Sequence, residues 1–165
     1  MGIPGRPCVA VFTLGGTIAM QAASGGAVAP ALPASGLLAA VPGLDDAGLE
    51  LTMRDVANKP GASLSFGDLF GLADAISGAL GDGVAGVVVI QGTDTIEETA
   101  YLLDLLVASE APVAVTGAMR NPSLAGPDGP ANILAAIRVA ASSRARGLGC
   151  VVVPDLYIRP ARDGV

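Results

Sequence analysis

Residues 84–106 read VAGVVVIQGTDTIEETAYLLDLL, and their reading sets the architecture. Val84–Gln91 is a continuous apolar run of strand length. It does not alternate, which is the pattern of a strand buried on both faces. Thr95 and Glu98 then have the spacing of a capping box. Ala100, Leu103, Leu106 and Val107 follow as an apolar stripe at helical spacing. A doubly buried strand feeding a helix is the repeating unit of a parallel sheet.

The same unit recurs on either side. Cys8–Thr13 (CVAVFT), Pro112–Thr116 (PVAVT) and Cys150–Pro154 (CVVVP) are further strand-like runs, and Leu49–Val56 is a weaker one with partial alternation. Ser65 is placed to cap a helix whose Phe66, Leu69, Phe70, Ala73, Ile76 and Leu80 face a core. Pro130 suits a first helical turn after Asp128 and Gly129, with Ile133, Leu134, Ile137 and Ala141 continuing the stripe. A short helix over Gly36–Val41 is expected to stop at Pro42. Met20–Pro33, rich in Gly, Ala, Ser and Pro, reads as a loop or loose hairpin. Asp155–Val165 follows the last strand with no element of its own, and is expected to fray. This order predicts a doubly wound α/β domain over residues 1–165. Its mainly parallel sheet carries helices on both faces, in a Rossmann- or flavodoxin-like three-layer arrangement. Ligands of such folds bind beyond the carboxyl ends of the strands.

Composition narrows the chemistry. Of 165 residues, 52% are apolar and 15% charged, which is the balance of a packed domain rather than a disordered one. The net charge is −6 with no basic stripe, so nucleic acid and anionic membranes are poor partners. The chain contains no histidine, which removes Ser-His-Asp and Cys-His catalysis and most zinc sites. No metal or cofactor is expected. Cys8 and Cys150 each begin a strand-like run and read as buried thiols. No signal peptide or membrane-length apolar run is recognisable, so a cytoplasmic protein is expected.

Three strand ends carry polar residues. The first strand leads into Leu14-Gly15-Gly16-Thr17-Ile18-Ala19. Two glycines permit a sharp turn and close approach to main-chain amides, and Thr17 follows with a hydroxyl. Read alone, this is either a glycine turn with an ordinary threonine cap or a catalytic loop. It lacks the G-x-G-x-x-G spacing of a dinucleotide loop. The third strand leads into Gly92-Thr93-Asp94, where a hydroxyl and a carboxylate precede a helix N-terminus. They are placed either to cap that helix or to hold an amino acid's amine and a water. After the fourth strand, Arg120 is placed either to hold a carboxylate or to tie the Gly117–Asn132 loop to Asp128 in an ion pair, and the structural role is preferred for both.

The phrases TLGGTIAM, QGTDTIEETAYLLDLL and VTGAMRNPSLAGPDGPANI resemble the signature blocks of the bacterial asparaginase/glutaminase family, in the same order and spacing. The resemblance covers essentially the whole chain, as the N-terminal catalytic-half domain. It implies hydrolysis of L-asparagine to L-aspartate and ammonia, with L-glutamine as the alternative substrate. It implies that Thr17 is the nucleophile, with Thr93 and Asp94 as the second threonine and its aspartate. Asp94 would also bind the substrate's α-amine. Gly16, Gly61, Ala62, Gly92 and Ala118 fall at substrate-binding positions. The implied full-length form joins subunits through a C-terminal domain, making a homo-oligomer.

The chain departs from that pattern at four places. Gln91 stands where many members have histidine, a peripheral exchange. Met20–Pro33 holds no tyrosine to activate the nucleophile; the tyrosines are Tyr101 and Tyr157. Gly61 replaces a substrate-binding serine, removing a hydrogen bond worth about 0.5–1.5 kcal/mol. The family's catalytic lysine would follow Val165, and the one lysine present, Lys59, does not match it. Lost members of a catalytic unit act non-additively. These 165 residues alone are therefore expected to turn over poorly. The alternative is a truncated, non-catalytic domain that binds amino acids weakly or not at all. A related amidotransferase subunit is disfavoured because such subunits carry an extra N-terminal domain. Apolar surface left uncovered should drive self-association.

Overall fold

The computed structural model describes residues 5–16, 20–22, 28–30, 33–120, 125–154 and 157–163. Eight strands occur among them: β1 (Cys8–Thr13), β2 (Met20–Ala22), β3 (Val28–Pro30), β4 (Glu50–Asp55), β5 (Gly86–Ile90), β6 (Val113–Thr116), β7 (Cys150–Val152) and β8 (Arg159–Pro160). The four α-helices are α1 (Ala34–Ala39), α2 (Phe66–Gly81), α3 (Ile96–Leu106) and α4 (Gly129–Ala141).

Six strands form one sheet in the order β4-β1-β5-β6-β7-β8. The first five run parallel, and β8 returns antiparallel on β7 with Val152 opposite Arg159. β2 and β3 make a separate antiparallel hairpin, Gln21 opposite Ala29, within the predicted loop-or-hairpin segment.

The doubly buried strands explain the layering. Alternate residues of β1 point to opposite faces. Val9 and Val11 join Leu37 and Leu38 of α1 and Ile133, Ala136, Ile137 and Ala140 of α4. Ala10 and Phe12 join Leu72, Ala73 and Ile76 of α2 and Ile96, Ala100 and Leu103 of α3. The sheet is thus covered on both sides, as the sequence predicts. From β1 the chain steps to β4 on one side and, after α2, to β5 on the other. The topological switch point, where ligands of such folds bind, is therefore at the carboxyl ends of β1 and β5.

Several local expectations are corrected. The short helix begins at Ala34 and ends at Ala39, two residues earlier than read, because Ala34 N–H is capped from β4 and the last turn closes by Ala40 N–H donating to Leu37 O and Val41 N–H to Leu38 O. In α2 the buried stripe is Leu69, Leu72, Ala73 and Ile76. Phe66, 72% exposed, and Phe70 lie outside it and stack on one another with centroids 6.2 Å apart. Ser65 does cap α2, and its reciprocal partner is Asp68. On α3, Leu106 is exposed and Thr99 buried.

The segment after β7 is not a free tail. β8 pairs with β7, Ala161 is buried in the α3 face of the core, and Arg162 Nε forms an ion pair with Asp104 of α3. The same Asp104 carboxylate accepts the backbone N–H of Cys150 at 2.8 Å. A carboxylate on α3 gives the last segment a partner that sequence proximity could not reveal. Both cysteines are free thiols, Cys150 buried and Cys8 half-buried. No described helix is long and apolar enough to cross a membrane.

Candidate active site

The site is assembled from turns at the carboxyl ends of β1, β5 and β6. β1 continues through Leu14, whose N–H donates to Ile90 O of β5 at 2.9 Å and whose carbonyl accepts Lys59 N–H at 2.9 Å. Gly15 and Gly16 then turn with φ of 97° and 91°. Such values favour glycine, and Gly16 needs it twice over. A Cβ on Gly16 would lie 2.9 Å from Gln91 C and closer still to the backbone of Gly92. The two loops after β1 and β5 thus meet backbone to backbone. Thr17, next in the chain, lies outside the described residues.

After β5, Gly92 leads into a single 3₁₀ turn, Thr93–Thr95. Thr93 is half-buried, with its methyl 3.1 Å from where a Cβ on Gly117 would sit. Asp94 is exposed on that turn. The expected capping box of Thr95 and Glu98 does not form: Thr95 makes no side-chain cap bond. The donor a capping box needs is Glu98 N–H, and Thr95, with φ −134° and ψ 29°, lacks the extended backbone that would aim its hydroxyl there. The Thr95 hydroxyl is instead buried without a partner among the described residues, 3.2 Å from the Cβ position of Gly61.

Gly61 and Ala62 lie on another 3₁₀ turn, Gly61–Ser63. Gly61 is buried against the same strand end, its Cβ position 3.4 Å from Gly92 O and 3.5 Å from Asp94 Cβ; Ala62 is exposed. Ala118 is buried after β6. The structure therefore brings Gly16, Gly61, Gly92, Thr93 and Asp94 together, with Gly117 on the flank of Thr93 and Ala118 buried in the core beside α4.

Lys59 is committed elsewhere. Its ammonium pairs with Asp68 at 2.8 Å. The Lys59 hydrogen bond, with help from Ser65, holds the Asp68 carboxyl far below the usual carboxylate range. Tyr101 and Tyr157 are exposed on α3 and beside β8.

Of two supporting residues, the sequence reading set Gln91 aside as peripheral and passed over Asn132. Gln91 is fully buried directly beneath the site, its Nε2 donating to Gly92 O at 3.2 Å. A lone polar residue ending an apolar strand was the signal of its supporting role. Asn132, also buried, donates from Nδ2 to Gly117 O at 3.0 Å. Its neighbour Asp128 accepts the backbone N–H groups of Met119 at 3.0 Å and Arg120 at 2.9 Å. Arg120 and Asp128 are thus tied structurally, but through backbone donors; the guanidinium reaches Gly126 O at 3.3 Å instead of the carboxylate. Burial works against the ionised Asp128, yet these N–H donors win and hold its carboxyl below the ordinary value.

A family model described as "Asparaginase, N-terminal" matches residues 8–163. The chain belongs to the asparaginase family. The asparaginase domain is 39% identical over 150 residues to L-asparaginase 2-3 of Saccharomyces cerevisiae, covering 88% of this chain and 41% of that protein. It is 38% identical over 155 residues to an L-asparaginase of Bacillus licheniformis, covering 93% and 48%. It superposes on the crystal structure of a probable cytoplasmic L-asparaginase from Campylobacter jejuni with a TM-score of 0.86 at 32% identity, covering 95% of this chain and 47% of that one. The asparaginase domain therefore spans about half the length of these relatives. Its family is one of amidohydrolases acting on asparagine.

Proposed function

We propose that this domain is the N-terminal catalytic half of an L-asparaginase that works through a threonine nucleophile. The observation that carries the reading is the contact of Gly16 with Gly92, which joins the GGT and GTD loops at the switch point of the sheet. Thr17 Oγ attacks the side-chain amide carbon of L-asparagine, and its proton passes to the departing amine, which leaves as ammonia. Water then cleaves the aspartyl ester and restores the hydroxyl. Thr93 offers its hydroxyl to align that water. Asp94 pairs with the substrate's α-ammonium, which suits its exposed carboxylate. Gly16, Gly61, Ala62, Gly92 and Ala118 line the substrate with backbone groups. The full-length form is a cytoplasmic homo-oligomer, in keeping with the exposed apolar side chains of Leu105, Leu148, Tyr157 and Ile158.

The test is ammonia release from L-asparagine, with L-glutamine in parallel, by the 165-residue chain and its Thr17→Ala variant. Release that Thr17→Ala abolishes supports the reading, and release that survives the substitution overturns the assignment of the nucleophile. One observation favours the second reading, a non-catalytic domain: Lys59 is engaged by Asp68 and so is no stand-in for the family's lysine. Calorimetric binding of L-aspartate without any ammonia release would support it.

A further inference from the structure

One carboxylate oxygen joins three elements at the edge of the site. Oδ1 of Asp55, the last residue of β4, accepts the hydroxyl of Thr13 at 2.5 Å and the backbone N–H of Ala34 at 2.9 Å. Thr13 is the last residue of β1 and stands opposite Asp55 in the parallel pair. It is 4% exposed, so its hydroxyl needs a protein partner. Ala34 opens α1, and its N–H is among the donors that a helix start leaves unpaired. The residue before it is Pro33, which has no side-chain oxygen, and no local cap bond forms. A carboxylate from a neighbouring strand therefore caps this helix.

The two donors bracket the segment 14–33. That segment contains the Gly15–Gly16 turn and Thr17. Its entrance is also stitched to the end of β4 by the backbone, since Val56 and Ala57 N–H donate to Thr13 O at 2.9 and 3.2 Å. Asp55 adds the tie to the exit, so both ends of the segment converge on one atom. Such convergence limits the backbone arrangements open to the Gly15–Gly16 turn at one end and to Pro33 at the other.

We infer that Asp55 is a positioning residue: its carboxylate clamps the entrance and exit of the segment 14–33 and so fixes the approach of the Gly15–Gly16 turn to Gly92. Its bearing on catalysis rests on the reading of Thr17 as nucleophile. The clamp itself does not.

The experiment is hydrogen–deuterium exchange on the 165-residue chain, following peptides from 14–33 and 34–41, with 86–91 as reference. Asp55→Ala should speed exchange in the first two by about tenfold and leave the reference unchanged. Asp55→Asn keeps an oxygen acceptor and should bring both back to within about twofold of the parent. Thr13→Val keeps the volume of the side chain and the bond to Ala34, so it should loosen 14–33 alone. Unchanged exchange at 14–33 in Asp55→Ala would overturn the inference. A uniform rise that includes 86–91 would also overturn it, since that marks general stability and not a clamp. Ammonia release is measured on the same samples. If the parent releases ammonia that survives Thr17→Ala while the exchange pattern holds, the reading of Thr17 as nucleophile fails and the clamp stands. If Thr17→Ala abolishes that release, Asp55→Ala lowers kcat with KM little changed, and Asp55→Asn recovers it.

Discussion

Two glycines with nearly the same backbone angle allow the contact between the β1 and β5 loops to be weighed. Gly16 has φ 91° and Gly83 has φ 89°. A Cβ at Gly83 meets nothing within 4 Å, whereas one at Gly16 runs into the backbone of Gly92 and Gln91. Alanine at either position pays the left-handed conformation, about 1–2 kcal/mol. It also gains the same small benefit from a stiffer unfolded chain, which cancels in the comparison. Gly16→Ala must in addition push two main chains apart. Overpacking of this kind costs about 1–3 kcal/mol, and backbone yields less readily than a side chain. Urea unfolding followed by circular dichroism should therefore place Gly16→Ala about 1–3 kcal/mol below Gly83→Ala. For a domain of this size each kcal/mol corresponds to about 2–4 °C in Tm, so melting curves should rank the variants in the same order. Equal stability of the two would refute the argument, because it would mean that the loops can part without cost.

Further outcomes follow from the same geometry. Asp128 has its carboxyl held below the ordinary value, so its contribution to stability is complete above the unfolded value near about 3.9 and is lost as pH falls through the folded one. Tm should be level from about pH 7 to 5 and fall below about pH 4, and Asp128→Asn should flatten that fall; an unchanged slope would count against the N–H cradle. Burial, reinforced by Asp104, pushes the Cys150 thiol up, while Cys8 is only half-buried. A thiol reagent at about pH 8 should modify Cys8 in the native protein and reach Cys150 only in denaturant; native labelling of both would show the β7 strand to be loosely packed. Asp104→Ala strips a partner from Cys150 N–H and from Arg162, at about 1–3 kcal/mol for the orphaned backbone group. It should expose residues 157–163 to limited proteolysis. Arg162→Ala, which spares the backbone bond, should do so less. Equal protease resistance of all three proteins would argue against docking of this segment through Asp104.

The family assignment was legible because three blocks stand at consistent spacing, and the fold because continuous apolar runs such as Val87–Ile90 can only be buried from both sides. Strand bounds shifted by a residue or two at Val84–Ala85 and Val153–Pro154, although Ala85 N–H still donates to Cys8 O and Val153 N–H to Val115 O. The helix faces were less legible. Phe66 and Phe70 have the right spacing for a core stripe, yet Leu72 occupies the core side, because the phase of a helix is chosen by the whole layer it packs on. Thr95 likewise matches a capping box by spacing, but its backbone lies outside the extended region an N-cap uses and its hydroxyl turns toward Gly61.

The sequence by itself determined which residues end the strands, since Gly16, Thr93 and Asp94 follow apolar runs in any register. Only the tertiary structure decided what they meet. Gly16 lies against Gly92, Gly61 beneath Thr95 and Asp94, and Asp55 against both Thr13 and Ala34. The physical reason is distance along the chain. Periodicity and capping report forces between residues a few positions apart, whereas these contacts join loops brought together by the order of strands in the sheet. That order is fixed by burying two apolar faces at once, a condition no single segment carries.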